Sequence, residues 1–165
     1  MIHSNAVLFS ILIGLIISIQ PASANDIQGA KEYRIHLTSP GDDSALTLVE
    51  KPPPVRGVTA TLTRNIPKMP RRQRNPEFSS TQIVIIAYDK EGREVTRVFL
   101  PDPRLIRAET VSPSGELQTQ NIYRKDVDFT IVIPDDPNIK ELKIYHPEWT
   151  GKNFILEPLG ETQLP

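Results

Sequence analysis

The sequence predicts an all-β protein folded as one antiparallel β-sandwich, and three observations carry that expectation. Helical spacing is nearly absent, since no stretch keeps apolar residues at i, i+3, i+4 and i+7 over three turns. Sixteen prolines are spread along the 165 residues, and a proline inside a helix removes a backbone donor and clashes with the preceding turn. Between them recur short runs of β-branched and aromatic residues, each ended by a cluster of Pro, Gly or Asp.

Residues 1–24 stand apart from that pattern. They contain no Lys, Arg, Asp or Glu. A polar start (Met1, His3, Ser4, Asn5) leads into the apolar run Ala6–Ile19, Gln20-Pro21 breaks it, and Ala22-Ser23-Ala24 offers small residues at a cleavage position. This is the three-part layout of a cleavable secretion signal, although its start lacks the usual Lys or Arg. The apolar run is shorter than the ~20 residues of a spanning helix, which argues against a retained anchor. Cleavage after Ala24 leaves residues 25–165 as a single domain, with no second hydrophobic span expected. A domain of that length buries roughly two-thirds of its surface.

The elements follow in order. Tyr33, Ile35 and Leu37 alternate with polar residues and share one face of a strand. Ser39-Pro-Gly-Asp-Asp43 turns the chain into 45–49, and 55–63 follows the prolines 52–54 as a third strand. Pro67, Pro70 and Pro76 make 65–76 a loop, because each would remove a ladder donor. Gln82–Tyr88 is a continuous apolar run of strand length, Asp89–Gly92 is a short connection with Gly near its end, and Glu94–Leu100 returns. Residues 82–100 therefore read as a β-hairpin. Strands are expected at 105–111, 117–123 and 126–133, the last with Val127, Phe129, Ile131 and Ile133 on one face. Pro134–Asn138 turns the chain into 142–146, and 153–159 completes the set. This rhythm resembles that of immunoglobulin-like or transthyretin-like sandwiches, and the resemblance implies two sheets packed face to face.

The residues carry little recognisable chemistry. Without Cys there is no disulfide, thiolate nucleophile or thiolate metal site. There is no Gly-x-Ser-x-Gly elbow and no phosphate-cradling glycine motif. Two histidines follow the signal, His36 and His146. His36 falls on the face opposite Ile35 and Leu37 and should meet solvent. His146 closes a strand beside Pro147 and Glu148, so a hydrolytic site would use His146 with Glu148, or with the Asp135-Asp136 turn. No catalytic residue, metal site or cofactor is expected. Asp42-Asp43 and Asp135-Asp136 read as turn formers, and Asp126 and Asp128 as the solvated face of a strand. Arg93, Arg97, Arg104 and Arg107, opposed by Glu91, Glu94 and Glu109, read as exposed ion pairs of little energetic worth.

One feature exceeds background. Lys51, Arg56, Arg64, Lys68, Arg71, Arg72 and Arg74 occur with no acid among them, in a chain of net charge −1. Lys68, Arg71, Arg72 and Arg74 are expected to contact an acidic partner of the bacterial envelope: a protein, a lipid headgroup or a polysaccharide. No aromatic residue interleaves the cluster, so nucleic acid is not an expected partner. The sequence thus points to a periplasmic or secreted, non-catalytic β-sandwich that binds or scaffolds an envelope component. The alternatives are the hydrolase around His146 and an assembly subunit that pairs through an edge strand, for which 153–159 is the natural edge.

Overall fold

A computed structural model describes residues 29–40, 46–48, 52–71 and 76–165. Residues 1–24, expected to be a secretion signal, the expected turn at Asp42-Asp43, Lys51, Arg72 and Arg74 lie outside the described residues. Ten strands are described: β1 (Ala30–Thr38), β2 (Leu46–Leu48), β3 (Gly57–Ile66), β4 (Gln82–Asp89), β5 (Glu94–Pro101), β6 (Leu105–Val111), β7 (Leu117–Arg124), β8 (Asp126–Pro134), β9 (Ile139–Trp149) and β10 (Phe154–Gln163). Every described ladder is antiparallel.

Two sheets form the sandwich, in the orders β3-β1-β8 and β10-β9-β4-β5. Their inner faces meet in one core: Tyr33, Ile35, Leu37, Ile131 and Ile133 from the first sheet, and Ile83, Ile85, Ala87, Leu142 and Ile144 from the second. The alternation of β1 and β8 does this directly, because the register places Tyr33 opposite Ile131 and Ile35 opposite Phe129. Residues between these positions face out. His36 is half-exposed there, its Nδ1 3.3 Å from Asp128.

The third sheet, β2-β7-β6, extends from one end of the sandwich. Only Lys125 separates β7 from β8, and the Lys125 carbonyl accepts the Ser39 N–H at 2.9 Å. The β1–β8 ladder thus passes through a bend into β2–β7. The β6–β7 hairpin carries Val111 opposite Leu117 near its turn, and both are exposed. Gly115 (φ 87°) closes that turn and Gly92 (φ 77°) the β4–β5 turn, left-handed positions that glycine adopts without a Cβ clash. At the β4–β5 turn Asp89 Oδ1 accepts the N–H groups of Glu91 and Arg93, and Oδ2 accepts Arg93 Nε at 2.7 Å. Burial pushes the Asp89 carboxyl up, but the Arg93 hydrogen bonds and charge outweigh it and hold it below its ordinary value.

Candidate functional site

The two long seams between the sheets differ. Along one, β10 lies against β3 so closely that a Cβ on Gly160 would stand 2.6 Å from Val58 Cγ2. Along the other, β5 pairs only with β4, and β8 only with β1, among the described residues. Between those free edges lies a groove of about 570 Å³, lined by residues 94–100 of β5, 130–132 of β8, and 69–71 and 76 of the proline-bounded loop. Leu100, Val98 and Thr96 sit opposite Ile83, Ile85 and Ala87 on β4, so their side chains face inward. Val98 and Leu100 are nonetheless only half-buried, whereas Ile83 and Ile85 are fully buried. Thr96 is buried in the groove wall, 3% exposed, and its hydroxyl has no hydrogen-bond partner. At the rim, Arg97 donates to Glu94 at 3.2 and 2.7 Å.

The basic segment meets this groove. Arg71 lines it with Met69 and Pro70, and Lys68 and Arg71 are exposed. The loop that sequence singled out for charge therefore contributes Met69, Pro70 and Arg71 to a wall of this groove. Arg64 departs from the expectation of an uncompensated cluster. It forks onto Glu32 of β1 at 3.1 and 3.0 Å, a bidentate pair that leaves it little capacity for another anion.

A second polar cluster is buried where the sandwich joins the β6–β7 hairpin. Arg104 Nη2 donates to Asp102 Oδ2 at 2.8 Å and Nε to Oδ1 at 3.1 Å. The Arg104 backbone N–H reaches the same Oδ1 at 2.9 Å, and Nη1 donates to the Pro53 carbonyl at 3.0 Å. The guanidinium lies 5.8 Å from the Tyr123 ring centroid and is wholly buried. This corrects the expectation of an exposed stripe: Arg107 is exposed, but Arg104 is a core residue. The physical reason is the tight Pro101–Pro103 turn, which sets a carboxylate two residues before the arginine and satisfies both charges internally.

His146 faces the same interior. The residue is 6% exposed, and its Nδ1 has no hydrogen-bond partner among the described residues. Burial pushes the imidazole below its ordinary 6.5, and the Arg104 charge adds to that, against the opposing pull of Asp102, a bond to the Gln82 backbone and Glu148. Glu148 is half-buried nearby. The Asp135-Asp136 turn lies at the far end of β9: His146 comes seven positions after Ile139, roughly 23 Å of extended chain. Asp135 pairs instead with Lys31 at 2.8 Å, and Asp136 accepts the Asn138 N–H at 2.8 Å. Among the described residues, no group of three or more His, Cys, Asp or Glu is placed to hold a metal ion.

Sequence reasoning gave no hint of an aromatic layer on the outer face of the β10-β9-β4-β5 sheet. Phe78 stands 5.6 Å from Phe99 and 6.1 Å from Phe154, whose ring is 5.1 Å from that of Trp149. On the same face Val84 and Ile86 are fully buried. The signal was present in the unbroken run 82–88, which reads as a strand covered on both faces. Comparison with protein-family models, with curated proteins and with solved structures finds no match.

Proposed function

We propose that this is an exported, non-catalytic binding protein of the bacterial envelope, and that it holds an acidic partner at the groove between β5 and β8. The observation that carries the reading is the placement of the basic segment: Met69, Pro70 and Arg71 form a wall of that groove, with Lys68 exposed beside them. Arginines in a proline-bounded loop lose few conformations on binding, and each guanidinium can grip a carboxylate or phosphate with two parallel hydrogen bonds. Export rests on the charge-free segment 1–24 with its small residues at 22–24. A periplasmic or secreted location follows from that segment. The geometry supports the hydrolytic alternative less well, because His146 is buried and its charged neighbours Asp102 and Arg104 are bonded to each other.

The test compares the exported chain with a variant carrying Arg71→Ser, Arg72→Ser and Arg74→Ser. The probes are vesicles containing phosphatidylglycerol, polygalacturonate, and a glutamate-rich peptide. At least one probe should bind, weaken as salt rises over the range where the Debye length falls below ~8 Å, and lose both affinity and salt dependence in the variant. A folded variant that binds as the parent does refutes the reading.

A further inference from the structure

We infer that the groove accepts an extended protein segment, apolar at alternate positions and acidic at its ends, as an added β-strand on β5. This deepens the reading above and rests on it for the role of the basic segment. Among the described residues β5 (Glu94–Pro101) pairs only with β4, so its other edge presents unpaired backbone groups along a strand of eight residues ending in a proline, about 27 Å long. A partner strand would complete that ladder, with main-chain bonds giving affinity and alternate side chains giving specificity.

The inward wall says what those side chains must be. Val98 and Leu100 face the core but are only half-buried, whereas their counterparts on β4 are fully buried. What is missing is apolar cover from the open side, and every second residue of an added strand would supply it. On the same face, two residues before Val98, the buried Thr96 hydroxyl has no partner, and an unmade hydrogen bond in such a place is costly. One polar group on the incoming strand would satisfy it. The charge of the wall sets the ends of the segment, because Arg71 lines the groove, Lys68 is exposed beside Met69, and neither has an ion pair among the described residues. An acidic segment complements them; a basic one would be repelled. Natural edge strands are usually blunted by charges, prolines or bulges. The β4–β5 register shifts between Ala87 and Tyr88 of β4, which leaves Val95 as the bulged residue of β5, and the proline stands at position 101; residues 96–100 between them stay regular.

The experiment uses the exported chain and a peptide of about nine residues, alternating valine and threonine, with two glutamates at each end. Three controls accompany it: the same peptide N-methylated at every second residue, the same peptide flanked by lysines, and the phosphatidylglycerol vesicles and polygalacturonate already named. The expected result is saturable binding of the acid-flanked peptide, weakened about tenfold or more by N-methylation, which removes several hydrogen bonds at once. The lysine-flanked peptide should bind more weakly still, and Arg71→Glu should reverse that preference. Amide hydrogen exchange should slow by about tenfold at residues 96–100 and stay unchanged in β10. Binding of the acidic peptide that is indifferent to N-methylation, with no protection of β5, overturns strand addition and leaves the acidic-partner reading standing. Binding of vesicles or polysaccharide but of no peptide does the same. If none of the probes binds, both readings fall.

Discussion

Replacing Asp102 by Asn should cost this domain more than any surface change, and the structure gives the reason. The substitution preserves shape and one acceptor for the Arg104 backbone N–H, which lies 2.9 Å from Oδ1. It removes the countercharge from a guanidinium whose side chain is 0% exposed. Breaking a buried pair from one side strands a charge in a poorly solvating interior, at about 3–5 kcal/mol. Whole domains are stable by only about 5–15 kcal/mol, so the variant should remain folded but marginal. With a urea slope of about 2 kcal/mol per molar, the midpoint should fall by roughly 1.5–2.5 M. The comparison that isolates the cause is the double variant Asp102→Leu with Arg104→Met. Apolar replacements of a buried pair are often neutral or stabilising. Here the Pro53 carbonyl, 3.0 Å from Nη1, would lose its donor, at about 1–3 kcal/mol. The double variant should therefore be more stable than Asp102→Asn. Urea unfolding followed by circular dichroism measures all three chains. A loss below about 1 kcal/mol for Asp102→Asn, within the range of an exposed pair, or a double variant less stable than the single, refutes the argument.

Three further outcomes are expected. Because burial holds His146 below its ordinary 6.5, the folded state keeps it neutral while the unfolded chain protonates. Stability should therefore be lost as pH falls from 6.5 toward the lower folded value, and His146→Gln should flatten that part of a urea-midpoint profile; an unchanged profile counts against a buried neutral ring. The Tyr145 phenol is pushed up to about 12 by burial and by the Tyr88 hydroxyl 3.4 Å away, so a spectroscopic alkaline titration should show one tyrosine ionising only near that pH, and full ionisation by pH 11 would contradict it. Intact mass of the exported protein should correspond to a chain beginning at Asn25, whereas recovery of the full-length chain solely in membranes would establish an anchor.

The strands were legible wherever local pattern and tertiary demand agreed. Gln82–Tyr88 reads as an unbroken apolar strand because both its faces are buried, the inner one in the core at Ile83 and Ile85, the outer one at Val84, opposite Phe99, and at Ile86. The end of β9 was not legible, since Pro147 argues against a strand interior. The structure resolves the conflict through register: Val84 opposite Tyr145 is the last β4–β9 pair, so at Pro147 the strand has only β10 beside it and no donor is needed on the other side. The basic segment was visible as charge, but its setting was not. Nothing local tells that Arg64 is taken by Glu32 across the β1–β3 ladder while Arg71 borders a groove. Arg104 failed for a related reason. Four arginines at strand spacing look alike in sequence, and only the short turn that brings Asp102 within 2.8 Å separates one of them from the rest.

The difference between the two seams is what singles out a binding edge. Both sheets end in strands at each seam, β10 and β3 on one side, β5 and β8 on the other. Sequence reasoning favoured the C-terminal strand as the free edge, and β10 is indeed the last strand of its sheet. Just beyond the 153–159 stretch it packs against the other sheet, where Gly160 makes room for Val58 and Val55. A side chain at position 160 would have to displace Val58, and overpacking of this kind costs about 1–3 kcal/mol. Gly160→Val should therefore destabilise the domain by that amount, and Val58→Ala should recover part of the loss, because the two sites are in contact. If that seam is closed by packing, the same variants should leave peptide binding at β5 untouched in the folded fraction. A Gly160→Val chain that stays folded but loses binding would mean that the two seams are coupled through the core, and that the β5 edge is not an independent site.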